Sequence, residues 1–343
     1  MGTDSQPADA MNTNHHHPLT DAFGRQINYL RLSVTDRCNL RCVYCMAGDM
    51  TFLPRQQVLT VEETTAIATA FTELGVGKIR LTGGEPLVFA GILPLVAELA
   101  TLRGLRELVM TTNGLLLPKF ALPLREAGIS RLNISLDTLD PDRYRAMTRI
   151  GDLHQALAGI AAARRAGFAA IKLNAVVLAG SNDHEVADLA RFALDGGMDI
   201  AFIEEMPLGH IDSHRRRDTQ CFSERIREAL ARTWELLPSA ESTGGPARYF
   251  RVRGSANKIG FISPMSQNFC SHCNRVRLTA EGQLLLCLGE DRSLDLRRLV
   301  RANPGNLEPL KEAIVAAMGR KPERHNLDSG RIDVVRFMNA TGG

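Results

Sequence analysis

Cys38-Asn39-Leu40-Arg41-Cys42-Val43-Tyr44-Cys45 sets three thiols in a C-x3-C-x2-C loop, and the reading of that loop decides the fold around it. A structural zinc site takes four closed ligands, and disulfides consume cysteines in pairs. Three close thiolates therefore point to a [4Fe-4S] cluster that keeps one iron open. A zinc loop borrowing a distant fourth ligand is the competing reading. The loop follows Tyr29 to Val34, an apolar segment that reads as a strand.

Outward from this strand, apolar segments bounded by turn residues alternate with helical patterns to about residue 210. The further strands are Lys78 to Leu81, Glu107 to Met110, Arg131 to Ser135, Ala170 to Val177 and Ile200 to Ile203. Helical stretches fall at Val61 to Leu74, Ile92 to Leu102, Leu116 to Ala127, Leu153 to Ala166 and His184 to Leu194, several stopped by Gly75, Gly128, Gly167 or Gly196. This is the order of βαβ units on a parallel sheet, and six units predict an α/β fold with an incomplete (β/α)6 barrel of TIM type.

In such a barrel, functional groups gather on the loops after the carboxyl ends of the strands. The Cys loop follows strand one, Thr82-Gly83-Gly84-Glu85-Pro86 follows strand two, Thr111-Thr112-Asn113-Gly114 strand three and Glu204-Glu205-Met206-Pro207 strand six. Ser135-Leu136-Asp137 ends strand four, and Lys172 and Asn174 share one face of strand five. One pocket is implied.

The chain has 343 residues, 44% hydrophobic and 23% charged, enough for a large core and a smaller second unit. The division expected is a tail at 1–24, a barrel at 25–210 and a C-terminal α+β unit at 211–343, with a helix near Phe222 to Ala231 and β pieces at Arg248 to Val252 and Lys258 to Ile262. No run approaches the ~18 apolar residues of a membrane helix, and the polar start lacks the apolar core of a signal peptide. Seven cysteines fit metal ligation in a reducing compartment better than a disulfide framework, so a cytoplasmic location is expected. A net charge of +3 without a basic, aromatic-interleaved stripe argues against nucleic acid. His15, His16 and His17 read as tail, His214 to Arg217 as solvated surface, and Cys221 as a spare thiol.

A second three-thiol group, Cys270-Ser271-His272-Cys273 with Cys287, forms C-x2-C-x13-C. A zinc knuckle using His272 or a distant residue as fourth ligand is an alternative there. Arg275 and Arg277, between these cysteines, share a face of an extended segment and suit paired hydrogen bonds to phosphate.

The C-x3-C-x2-C loop with an aromatic before its last Cys resembles the signature of radical S-adenosylmethionine (SAM) enzymes. From Arg31-Leu32-Ser33-Val34-Thr35-Asp36-Arg37-Cys38 onward the chain resembles the GTP 3',8-cyclase family of molybdenum cofactor biosynthesis. The marks are the two three-cysteine groups, Gly260-Phe261-Ile262-Ser263-Pro264-Met265-Ser266, the Arg-x-Arg and the terminal Gly342-Gly343. A radical SAM peptide-modifying enzyme with auxiliary clusters would not need the last two.

The resemblance implies two [4Fe-4S] clusters, on Cys38, Cys42 and Cys45 and on Cys270, Cys273 and Cys287, the second binding guanine through its open iron. It implies SAM contacts from Tyr44, Gly84, Ser135 and Met206, and GTP contacts from Arg31, Arg80, Thr111, Lys172, Arg275, Val276 and Arg277. Gly342 and Gly343 would reach into the active-site cavity as residues needed for activity. The implied reaction is that of a lyase: a 5'-deoxyadenosyl radical takes the ribose 3' hydrogen of GTP, giving (8S)-3',8-cyclo-7,8-dihydroguanosine 5'-triphosphate. A homodimer, a reductant such as flavodoxin, and transient hand-over to cyclic pyranopterin monophosphate synthase follow from the same resemblance. Ala47 stands where the family commonly has Pro, which alters loop stiffness rather than ligation.

Overall fold

The computed structural model describes residues 18–211, 213–290, 292–327 and 336–342; the triple-histidine tail and Gly343 lie outside them. Strands β1 (Tyr29–Ser33), β2 (Lys78–Thr82), β3 (Glu107–Thr112), β4 (Arg131–Ser135), β5 (Ala170–Val177) and β6 (Asp199–Glu204) lie side by side in sequence order, each parallel to the next. Helices α1 (Val61–Glu73), α2 (Ile92–Ala100), α3 (Leu117–Ala127), α4 (Pro141–Thr148), α5 (Leu153–Ala166) and α6 (Val186–Asp195) make the crossovers. The expected βα order is present. The sequence reading lacked α4, an eight-residue helix capped by Asp140, whose side chain accepts from Arg143 N, with Pro141 in its first turn.

Period-two alternation fixes which side chains face the barrel interior. On β5, Leu173, Ala175 and Val177 are fully buried beneath the helices, so Lys172 and Asn174 take the opposite face. On β4, Leu132 and Ile134 are buried likewise, which turns Asn133 and Ser135 inward. Each large aliphatic side chain buried this way contributes about 1.5–3 kcal/mol, so a one-residue slip would expose the apolar row and carry the polar residues into the helix layer.

Residues after 210 add to both edges of this sheet. On one side, β9 (Lys258–Ile262) runs parallel to β6, with β8 (Arg248–Val252) and β7 (Leu236–Pro238) antiparallel beyond it. On the other, β10 (Arg275–Leu278) runs parallel to β1, followed by antiparallel β11 (Gln283–Leu285) and β12 (Ser293–Asp295). The C-terminal unit expected as a smaller neighbour is thus interleaved with the barrel sheet. Helices α7 (Arg216–Thr219), α8 (Ser223–Ala231), α9 (Leu296–Ala302), α10 (Glu308–Met318) and α11 (Met338–Thr341) complete the described chain. No helix among the described residues is long and apolar enough to cross a membrane.

Candidate active site

The Cys loop is held by backbone bonds from the loop after β2. Gly84 N donates to Thr35 O (2.8 Å) and Glu85 N to Arg37 O (2.8 Å). A Cβ at Gly84 would stand 2.4 Å from Arg37 O and 2.6 Å from Asp36 O, so only glycine permits this approach. Glu85 braces the neighbouring loop: its carboxylate accepts from Thr112 Oγ1 (2.7 Å), Asn113 N (2.7 Å) and Leu87 N (3.1 Å). Burial pushes this carboxyl up to about 7 against those hydrogen bonds. Asn113, placed by Glu85, donates through Nδ2 to Asn39 Oδ1 (2.8 Å) and points at Cys38 Sγ (3.9 Å), to which Leu40 N also donates (3.4 Å).

Cys38, Cys42 and Cys45 open on one pocket together with Tyr44, Gly84, Ser135 and Met206. Tyr44 Oη donates to Asp137 Oδ2 (2.6 Å), whose other oxygen accepts from Val176 N (2.8 Å). Burial pushes the Cys38 thiol up to about 11 and Cys45 to about 12, and raises Cys42 well above the ordinary thiol. As thiolates, these three half-buried groups would need a cation to neutralise them, which a metal cluster supplies. The donor set fits an iron-sulfur cluster: the thiols are free, and backbone and amide N–H groups already point at sulfur.

A second pocket lies deeper in the barrel and is lined with cations. Strand register sets Arg277, Arg31 and Arg80 in one row across β10, β1 and β2, and Arg275, Tyr29 and Lys78 in the row beside it. Like charges on adjacent strands repel. Among the described residues, Arg80, Lys172, Arg275 and Arg277 have no carboxylate ion-pair partner, so this wall presents positive charge suited to an anion. Thr111, Lys172 and Val276 line the same pocket. Arg80 Nη1 donates to Thr111 Oγ1 (3.2 Å) and Lys172 Nζ to Tyr249 Oη (3.1 Å). Cys270, Cys273 and Cys287 open on this pocket as well. Burial opposes the Cys273 thiolate, but Lys321 and Arg275 bring that thiol below its ordinary value; His325 does the same for Cys270, and burial raises Cys287.

Thr111, Asn174, Ile203, Met206 and Met338 line both pockets, so the two are adjoining parts of one chamber. Gly342 sits over the junction. Its carbonyl accepts from Arg31 Nη2 (3.3 Å) and from Arg277 Nη1, and a Cβ there would stand 2.4 Å from Thr82 Cγ2. Met338 N donates to Cys45 O (3.3 Å) and Asn339 Nδ2 to Asp36 O (3.0 Å), which docks the C-terminal segment on the Cys loop.

Every site residue named from the sequence and described here lies in or over this chamber, and sequence reasoning missed several more. Tyr29 shares parity with Arg31 and accepts from Arg80 Nε (2.5 Å); Lys78 shares parity with Arg80 and bonds Glu107 (2.6 Å) and Thr243 O (2.7 Å). Strand parity was the available signal. Glu204 is a brace: it accepts from Ser223 N (2.9 Å), Met265 N (3.1 Å) and Ser266 N (3.0 Å), tying β6 to the chain ahead of the second cysteine group. The run His214 to Arg217 is only half solvated. His214 Nε2 and Arg216 Nε fold back onto buried Glu205 (2.9 and 3.2 Å), because that carboxylate beside the pocket needs partners, while Arg215 and Arg217 stay exposed. Cys221 is buried in the apolar core.

A βα barrel with a three-thiol loop over the carboxyl ends of its strands defines the radical SAM class. The family model described as "Radical SAM superfamily" matches residues 32–193, and "Molybdenum Cofactor Synthesis C" matches residues 198–327. A GTP 3',8-cyclase of Marinobacter nauticus is 60% identical over 326 residues, 95% of this chain and 98% of the relative. That of Pseudomonas putida (strain GB-1) is 58% identical over 327 residues, with the same shares covered. The chain belongs to the GTP 3',8-cyclase family. Among solved structures, Streptococcus suis SuiB bound to S-adenosylmethionine is similar in fold, with TM-score 0.61 at 14% identity over 83% of this chain and 68% of that one.

Proposed function

We infer that the chamber converts GTP to (8S)-3',8-cyclo-7,8-dihydroguanosine 5'-triphosphate in molybdenum cofactor biosynthesis, with SAM at its Cys38 end and GTP at its cationic end. The observation that carries this is the row Arg277–Arg31–Arg80 opening on the same chamber as the Cys loop. In this reading Cys38, Cys42 and Cys45 hold a [4Fe-4S] cluster, and Tyr44, Gly84, Ser135 and Met206 receive SAM. When bound, cluster and SAM supply a reductive cleavage that yields methionine and a 5'-deoxyadenosyl radical.

The chain's own share is placement and exclusion of water. Arg31, Arg80, Lys172, Arg275 and Arg277 neutralise the triphosphate, with Thr111 and Val276 completing the wall. Asn174 Oδ1 is buried, lacks a hydrogen-bond partner among the described residues and lines both pockets. It is an acceptor for a ligand hydroxyl where the two ends meet. Gly342 closes the chamber, since a residue without a side chain leaves room beside Thr82, and the family resemblance gives Gly343 a part in the same role. Cys270, Cys273 and Cys287 hold a second [4Fe-4S] cluster whose open iron receives guanine.

The same reading carries a cytoplasmic homodimer with a barrel at 25–210 and a C-terminal unit at 211–343, a reductant protein such as flavodoxin, and hand-over to cyclic pyranopterin monophosphate synthase. Family membership supports these, rather than a surface of this chain. Two triple variants test the division of labour in anaerobically reconstituted protein. Replacing Cys38, Cys42 and Cys45 by Ala is expected to halve the iron and stop 5'-deoxyadenosine formation. Replacing Cys270, Cys273 and Cys287 by Ala is expected to halve the iron and stop cyclisation. Either variant cyclising GTP at the parent rate would contradict the assignment.

A further inference from the structure

Lys321 is a lysine buried to 3% exposure, and among the described residues it has no carboxylate partner. The end of α10 fixes its backbone, with Lys321 N donating to Met318 O (3.1 Å) above the buried Ile314, Ala317 and Met318. Its ammonium has three protons and three acceptors: Arg275 O (3.1 Å) on β10, Leu286 O just after β11, and Cys273 Sγ (3.6 Å). The two carbonyls aim the charge and the sulfur is the group that can answer it. A buried cation without an anion is costly by several kcal/mol, and of its three acceptors Cys273 Sγ is the one that can carry negative charge.

Two other cations stand near Cys273. Arg25, paired with Asp21, gives its other donors to Cys270 O, Pro322 O and Glu323 O, and Arg275 lies over the Phe269 ring at 4.8 Å; both add positive charge near Cys273, but among the described residues neither donates to its sulfur as Lys321 does.

We propose that Lys321 is a positioning residue for the second cysteine group: its ammonium, donated to Cys273 Sγ, offsets thiolate charge and raises the reduction potential of the cluster held there. The inference rests on the proposed second cluster and adds to it a lysine that sets its redox poise. Hydrogen bonds to ligating sulfur and a nearby positive charge both favour the reduced, more negative state. Lys321 touches a ligand sulfur and no reacting atom, so its effect belongs in the potential.

The test uses the full chain with Cys38, Cys42 and Cys45 replaced by Ala, so that only the second group can hold iron, reconstituted anaerobically and titrated by electron paramagnetic resonance. Lys321→Gln is expected to keep its iron and sulfide but to lower the midpoint by about tenfold in the reduction equilibrium, about 59 mV for a one-electron couple. Lys321→Arg is expected to stay near the Lys321 protein. An unchanged midpoint in Lys321→Gln overturns the proposal. Iron lost from Lys321→Gln but kept in Lys321→Arg supports it, as charge needed to hold the cluster; iron lost from both overturns it, as packing alone. If the background protein with Lys321 intact binds no cluster, the two-cluster reading itself fails, and that failure is visible before any Lys321 variant is compared.

Discussion

Tyr29 shows how one residue can report the cationic pocket. Burial pushes its phenol up, but Arg80, Arg31 and Lys78 more than offset that and bring it down to about 7. At pH 8 the phenol of the free protein is therefore largely ionised. A triphosphate bound at the same cations would repel the phenolate and return the proton. GTP binding at pH 8, without SAM, should thus take up a proton that binding at pH 6 does not, seen as a dependence of calorimetric heat on buffer ionisation enthalpy. Tyr29→Phe should remove that increment, and uptake persisting in the variant would place the proton elsewhere. Sequence reading named Arg31 and Arg80 by resemblance yet passed over Tyr29 and Lys78, although period two puts all four on the interior face. A phenol at the start of an apolar strand carries no local mark of the cations that register brings beside it.

Among the elements, the barrel strands were legible because their apolar rows end at turn residues; β4 and β5 have the expected bounds. Of the later strands, β10 was read as an extended segment, whereas β11 and β12, three residues each, were not seen, and β10 gains its meaning only by pairing with β1. Tyr29 and Arg275 are partners in that ladder although they stand far apart in the chain, and no local pattern encodes such a pairing. The loop after β2 is the clearest case of backbone placing chemistry. Gly84→Ala must move either that loop or the Arg37 carbonyl, an overpacking that costs about 1–3 kcal/mol. SAM affinity is expected to fall by about tenfold or more with iron retained, measured by equilibrium dialysis of the reconstituted protein. Unaltered affinity would mean that the Cys loop does not depend on this contact.

The molecule as a whole joins two sites by extending both edges of one sheet. β10 carries Arg275 and Arg277 to the side of β1, and β9 continues from β6, so the second cysteine group and the Cys loop face a common chamber. This convergence was expected from the barrel rule and the family resemblance, whereas the braces that maintain it, Glu85, Glu204 and Lys321, emerge only from packing. Glu85 and Glu204 stand in motifs that the sequence places after strands two and six, but their bracing roles, and Lys321 altogether, carry no signal until burial is known. The central claim is that the two ends work on one substrate. It is tested most directly by supplying GTP deuterated at the ribose 3' carbon to the anaerobic, reconstituted protein with SAM and reductant, and weighing the 5'-deoxyadenosine formed. The account predicts deuterium in that product, and 5'-deoxyadenosine free of deuterium would contradict it.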